Sequence, residues 1–115
     1  MALTFWNSIP VEALNPLMTR QVLHTERMTI ARLKLGKGAV VPRHAHENEQ
    51  VTQVVSGALL FRLPDGDVTV PAGGVLVLPS QQPHEVHALE DTEALDIFAP
   101  RREDWIRGDD AYLRR

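Results

Sequence analysis

Short runs rich in Val, Leu and Ile alternate with turn-forming clusters along this chain, and no segment from 26 to 98 carries the periodicity of a long amphipathic helix. The turn signals are Gly36 and Gly38, Gly57, Pro64-Asp65-Gly66-Asp67, Ala72-Gly73-Gly74 and the cluster from Pro79 to Pro83. Short apolar runs bounded by such signals are the pattern of an all-β sandwich or barrel. The pattern predicts strands near 17–24, 27–35, 39–45, 50–56, 58–63, 67–71, 75–78, 84–89 and 92–98. Leu63 to Asp67 reads as a hairpin turn, because Asp65-Gly66 supplies residues that tolerate positive φ. The charged tail from Arg101 to Arg115 has Trp105, Ile106, Tyr112 and Leu113 as its only sizeable apolar anchors, so a short helix or a packed arm is expected there.

Composition narrows the class. A length of 115 residues, 43% hydrophobic, with a net charge of −3, fits one globular domain spanning 1–115. With no cysteine, disulfides, thiolate metal ligands and a cysteine nucleophile are all excluded, and any bound metal must be held by nitrogen and oxygen donors. The N-terminal MALTFWNSIP lacks a basic n-region and a long apolar h-region, and no run approaches the length of a membrane span, so a cytoplasmic location is expected. Twelve Lys and Arg against 15 Asp and Glu give no overall basic character, and the few aromatics do not interleave with a basic stripe, so neither a nucleic-acid nor a membrane partner is expected.

The candidate chemistry lies in the histidines. In an extended strand alternate side chains share a face, so His44 and His46 can reach one ion together. A solvated turn in the polar stretch Arg43 to Gln50 is the bland alternative. Continued from His46 as a strand, the chain puts Gln50 on the same face and Glu49 on the opposite one, so Gln50 is the expected ligand, Glu49 its rival, and a bulge would exchange them. His84 and His87 are an odd number of positions apart and cannot both face inward from one regular strand; His84, stiffened by Pro83, is the expected ligand and His87 a rim or exterior residue. His24 reads as a surface or interface residue. Imidazole and amide donors accept one divalent Mn, Fe, Co, Ni, Cu or Zn ion without choosing among them.

Gly38, His44, His46, Gln50 and Gly57 form one spaced block, and Gly73, Pro79 and His84 a second. These blocks, at 38–57 and 73–88, resemble the two signature motifs of the cupin superfamily, and the resemblance is specific because two independently spaced blocks agree. It implies a double-stranded β-helix, the jelly-roll barrel of RmlC-like cupins, holding one metal near its centre. Two positions depart from the pattern. Gln50 stands where a glutamate is most often found, and Gln81 where a glycine usually lies two residues after the proline. Three imidazoles and an amide oxygen carry no ligand charge, so a bound ion would keep its full double charge, a stronger Lewis acid held less tightly than in a carboxylate site.

Between Thr92 and Trp105, Leu95 and Ile97 share one face of the expected strand, Asp96 and Phe98 the other. Asp is rarely buried, which by itself favours Asp96 outward. The run Asp96, Phe98, Pro100, Arg102 favours the opposite, because it resembles the C-terminal segment of small single-domain cupins of pectin and alginate breakdown. Those proteins convert 4,5-unsaturated monouronates into open-chain keto sugars. The resemblance implies His44, His46, Gln50 and His84 on the metal, with Asp96, Phe98 and Arg102 as the catalytic, substrate-facing residues. Arg102 would grip the uronate carboxylate as a planar fork, Asp96 would move the proton, and Phe98 would stack on the sugar and exclude water. Arg101 competes for the anion role or is simply solvated.

The expected function is therefore a metal-dependent enzyme of the lyase or isomerase type on a small sugar acid or hydroxy-carbonyl compound. An oxygen-dependent dioxygenase and a non-catalytic cupin that binds a small ligand are the alternatives. A homodimer is expected, with Phe5, Trp6, Ile9 and Trp105 as candidates to cross a two-fold axis or else to cap their own barrel.

Overall fold

A computed structural model describes residues 1–115. The chain forms ten strands: β1 Glu12–Asn15, β2 Met18–His24, β3 Thr29–Leu35, β4 Val40–His44, β5 Glu49–Ser56, β6 Ala58–Leu63, β7 Gly66–Pro71, β8 Val75–Leu78, β9 His84–Ala88 and β10 Thr92–Ala99. A one-turn helix, α1, spans Glu103–Ile106, and 3-10 turns lie at Trp6–Ser8 and Ala111–Arg114. The strands make two antiparallel sheets, one ordered β1-β2-β3-β10-β5-β8 and one ordered β4-β9-β6-β7. This is the expected jelly roll.

The strands that line the cavity follow the two-residue alternation that a half-buried strand requires. Along β10, Thr92, Ala94, Asp96 and Phe98 are buried, whereas Glu93, Leu95 and Ile97 lie on the outer face. On β9, His84, Val86 and Ala88 face in, and Glu85 and His87 face out. The sheets close over a core that includes Met18, Leu33, Leu35, Val54, Leu59, Phe61 and Val86. Burying a side chain such as Phe61, which is 1% exposed, contributes about 2–3 kcal/mol. The polar inward positions Gln50, Thr52, His84 and Asp96 share one cavity with several of these apolar residues.

The nine expected strands coincide with β2 to β10 to within two residues at either end. Three readings change. The additional strand β1 has only one fully buried apolar residue, Leu14, and pairs with β2 across a turn in which Asn15 Oδ1 accepts from the Leu17 amide at 2.9 Å. Four edge residues with a single inward anchor give too little periodicity to read. Second, β4 ends at His44, so His46 follows the strand instead of belonging to it. Third, Trp105 is 8% exposed and packs within its own barrel, so it is not available to cross a two-fold axis.

The tail is an arm folded over one mouth of the barrel. Trp105 and Leu113 join the core, Asp110 pairs with Arg20 at 2.8 Å, and the Asn15 amide donates to the carbonyls of Leu113 and Arg115 at 3.3 Å each.

Candidate metal centre

Four side chains from separate parts of the chain meet at the mouth covered by the arm. His44 closes β4 directly opposite His84, which opens β9; the register pairs the two residues and brings their ring centroids to 4.2 Å. Gln50 reaches in from β5 on the other sheet. His46 comes from the loop between β4 and β5, which is fixed on both sides. The His46 carbonyl accepts from the Gln81 amide at 2.8 Å, and the Asn48 side chain donates to the Pro100 and Arg101 carbonyls. Ligand atoms of His44, His46 and His84 all lie within 4.8 Å of one another. An ion with bonds of about 2.1 Å bridges donors up to about 4 Å apart, so small ring shifts suffice to bring all three onto one ion.

The backbone sets the tautomers. Nδ1 of His44 lies 2.7 Å from the Pro42 carbonyl, that of His46 3.0 Å from Asn48 and that of His84 2.8 Å from Gln82. A carbonyl only accepts, so each Nδ1 carries the proton and each Nε2 presents its lone pair. Burial holds the rings neutral. Desolvation, helped by the neighbouring His84, pushes His44 from 6.5 down to about 4. Desolvation, with His46 and Arg102 nearby, takes His84 to about 4 despite its bond to Gln82. His46 is lowered as well, first by burial and then by Arg102.

These donors fit a divalent ion. His46 Nε2 stands 3.0 Å from Gln50 Oε1. With the Nδ1 proton committed to Asn48, both facing atoms are acceptors, an arrangement that a cation between them relieves. Neutral imidazole nitrogen and amide oxygen are ordinary ligands for first-row divalent metals.

Beside the donors is a cavity of about 40 Å³, lined by His44, Gln50, His84, Asp96, Phe98, Arg102 and Tyr112 among others. That volume accommodates one or two waters. Asp96 is 9% exposed; burial raises its carboxyl from 3.8 to about 6, against the opposing influence of its Thr52 hydrogen bond and of Arg102. Arg102 is 1% exposed, its guanidinium 4.7 Å from the Phe98 ring and 4.3 Å from the Trp105 ring. Its Nε and Nη2 donate to the two carboxylate oxygens of Asp104 at 2.9 and 2.8 Å, and Nη2 also donates to the Tyr112 hydroxyl at 2.8 Å. The fork expected to meet a ligand carboxylate is thus already occupied, which leaves Nη1 as the uncommitted donor.

Residues 31–98 match the protein family described as Cupin domain. The chain is a cupin. It is 30% identical over 82 residues to an oxalate-binding protein from Thermotoga maritima, an alignment covering 70% of this chain and 65% of that protein. The cupin thus spans just under two thirds of the length of that curated relative. Among solved structures, KdgF from Halomonas sp. superimposes with a TM-score of 0.83 at 29% identity, covering 90% of this cupin and 99% of the KdgF chain. An RmlC-like cupin from Shewanella frigidimarina NCIMB 400 superimposes with the same TM-score at 24% identity, covering 91% and 96% of the two chains. The latter likeness is one of fold. No helix of this cupin is long and apolar enough to cross a membrane.

The remaining polar candidates lie elsewhere. Glu49 is exposed on the outer face of β5. His87 faces away from the cavity, 2.5 Å from Glu85 Oε2, and His24 is exposed with Nδ1 2.7 Å from the Thr29 hydroxyl. Arg101 pairs with Glu103 on the surface of the cupin. Three residues that shape the site were not singled out as functional from sequence: Thr52, Asn48 and Tyr112. Thr52 had a readable signal, since it shares strand parity with Gln50. Asn48 acts through its backbone carbonyl and through side-chain bonds to a remote segment, and Tyr112 arrives from a distant arm, its ring centroid 4.6 Å from that of His44. Neither leaves a mark in local pattern.

Proposed function

We propose that this cupin is a metal-dependent enzyme acting on a small sugar acid, converting a 4,5-unsaturated monouronate into its open-chain keto form. The observation that carries the reading is that Asp96, Phe98 and Arg102 line the same cavity as His44, Gln50 and His84. Likeness to KdgF over nearly all of that chain supports it. His44, His46, His84 and Gln50 hold the ion, which supplies Lewis acidity toward a substrate oxygen. Asp96 moves the proton that hydration of the enol ether and opening of the ring demand; its raised pKa suits either direction of transfer near neutrality. Phe98 walls off water, and Arg102, through Nη1 and its charge, attracts the uronate carboxylate. A monouronate needs more room than about 40 Å³, so its entry displaces Tyr112.

That volume also favours a second reading, a non-catalytic cupin that binds a compact ligand such as a two-carbon diacid. The name of the Thermotoga maritima relative points the same way. One experiment separates the two. Metal content is measured after purification, and the loaded protein is mixed with unsaturated monouronates while their double-bond absorbance is followed, with oxalate titrated calorimetrically in parallel. Turnover that Asp96→Ala abolishes without loss of metal supports the enzyme. Oxalate binding with no loss of absorbance from any uronate overturns it in favour of the second reading, and a protein that takes up no divalent ion overturns both.

The proposal includes a homodimer. An apolar row, Val77, Val51, Ile97, Ile30 and Leu23, runs register by register across the outer face of the larger sheet, with Val77 57% exposed at its edge. Sedimentation velocity distinguishes a dimer from a 12.9 kDa monomer.

A further inference from the structure

The geometry points to Thr52 as a positioning residue that fixes which end of the Gln50 carboxamide faces the three imidazoles. The inference rests on the metal-site reading above and extends it to a residue that holds no ion itself and acts only through its hydrogen bond to Gln50.

Glutamine poses a problem that glutamate does not. A carboxylate offers a ligating oxygen whichever way it turns, whereas a carboxamide offers oxygen on one side and two N–H groups on the other. The two orientations have nearly the same shape, so packing alone discriminates poorly between them. Turned the wrong way, Gln50 would aim N–H groups at the position where a cation is to sit.

Hydrogen bonding resolves the choice. Gln50, Thr52 and Asp96 are buried, 4%, 1% and 9% exposed. Thr52 lies two residues beyond Gln50 on β5, on the same face, and the register sets it opposite Asp96 on β10. The Thr52 hydroxyl donates to Asp96 Oδ1 at 2.6 Å. A hydroxyl has one proton, so with that proton committed its oxygen can only accept, and it accepts from Gln50 Nε2 at 2.9 Å. Oε1 is left on the imidazole side, 3.0 Å from His46 Nε2. The order is directional throughout: carboxylate accepts from hydroxyl, hydroxyl accepts from amide N–H, and the amide oxygen is free to ligate.

The test uses the full chain, with Co(II) as the probe. Thr52→Val keeps the shape and strand preference of the side chain but removes the hydroxyl; Thr52→Ser restores it. Co(II) affinity is measured by competition with a chromophoric chelator, the visible absorption bands report the ligand set, and circular dichroism checks the fold. Thr52→Val should bind Co(II) about 10- to 100-fold more weakly, the loss typical of a broken outer hydrogen bond to a metal ligand. Its absorption bands should also shift, and Thr52→Ser should restore both affinity and spectrum. A folded Thr52→Val with wild-type affinity and spectrum overturns the inference while leaving the metal site standing, as does a Thr52→Ser that behaves like Thr52→Val. Should valine prevent folding, Thr52→Ala replaces it with the same two outcomes. A wild-type protein that binds no Co(II) overturns both the inference and the reading beneath it.

Discussion

Acidifying the metal-free protein from pH 7 to 4 should cost its fold about 3 kcal/mol more when Asp96 is replaced by asparagine than in the wild type. His84 is 1% exposed and titrates at about 4 in the folded chain against 6.5 in the unfolded one. Between those values the unfolded chain binds the extra proton, so stability present above pH 6.5 is lost as pH falls toward 4. At 1.36 kcal/mol per pH unit that loss is about 3 kcal/mol. His44, also at about 4, adds to it. The two rings face each other and titrate as a pair, so about 6 kcal/mol is the ceiling for both. Asp96 acts in the opposite sense. Its carboxyl protonates at about 6 when folded and 3.8 when unfolded, so over that interval the folded state holds the extra proton and acidification returns about 3 kcal/mol. Asp96→Asn, which lacks the compensating protonation, should therefore lose about 3 kcal/mol more than the wild type over this range. Asp104 and Asp110 have carboxyls held below the ordinary range, Asp104 by Arg102 and Asp110 by Arg114 and Arg20, each against the opposing influence of burial, so their losses come at lower pH. Urea unfolding in EDTA at half-unit pH steps measures both profiles. Parallel curves for the two proteins would refute the reasoning.

Three further outcomes follow from particular contacts. Zinc, cobalt or nickel at a hundred times its dissociation constant should stabilise the chain by about 2.7 kcal/mol, roughly 10 °C in Tm by calorimetry, and His84→Asn should remove most of that gain. Gln81→Gly should raise stability by up to about 1 kcal/mol in urea melts, because Gln81 has φ +65 and is the only non-glycine residue in the left-handed region. Asp104→Ala should cost about 3 kcal/mol, since it strips the Arg102 guanidinium of its carboxylate inside a stack of aromatic rings, and Asp104→Glu should recover part of the loss.

The fold was legible because turn chemistry and strand alternation agree along most of the chain. Gly57 illustrates how directly: it has φ +87, and a Cβ there would run into the Asp91 carbonyl and Thr92. The departure at Gln81 was equally readable, since a motif position that usually holds glycine turns out to need a left-handed backbone. The site was legible in part for a reason other than the one first apparent. Parity arguments treat residues 44 to 50 as one extended strand, but β4 stops at His44, a bend occupies 47–48, and β5 begins at Glu49. Gln50 faces in because β5 imposes its own alternation, and His46 faces in because Asn48 and Gln81 pin its loop. Both departures from strand geometry are absorbed between two elements of fixed orientation, so counting gives the right faces. What counting could not give is the use made of Arg102 by Asp104 and Tyr112, because the path of the arm depends on where Trp105 and Leu113 find core to enter.

The arm is also where site and access become one question. Tyr112 bonds Arg102 through its hydroxyl and lies against His44 with its ring, so it bounds the cavity on both the cationic side and the imidazole side. Its own attachment is divided. Upstream, Trp105 is buried and Arg102 is paired with Asp104, which ties α1 to the barrel. Downstream, Leu113 and the Asp110 pair with Arg20 hold the last turn, and Gly108, with φ +79, lies between the two anchors. A monouronate would outgrow the cavity, and release of the second set with the first in place would give it room. The cost of that opening, one buried leucine, the hydrogen bond from the Arg102 guanidinium to Tyr112 and the buried Arg20–Asp110 ion pair, is then subtracted from the affinity of any large ligand. A two-carbon diacid is far smaller than a monouronate and needs less of that opening, so comparing oxalate and uronate affinities before and after removal of the Tyr112 side chain measures how far the arm, and not the metal, decides what this cupin accepts.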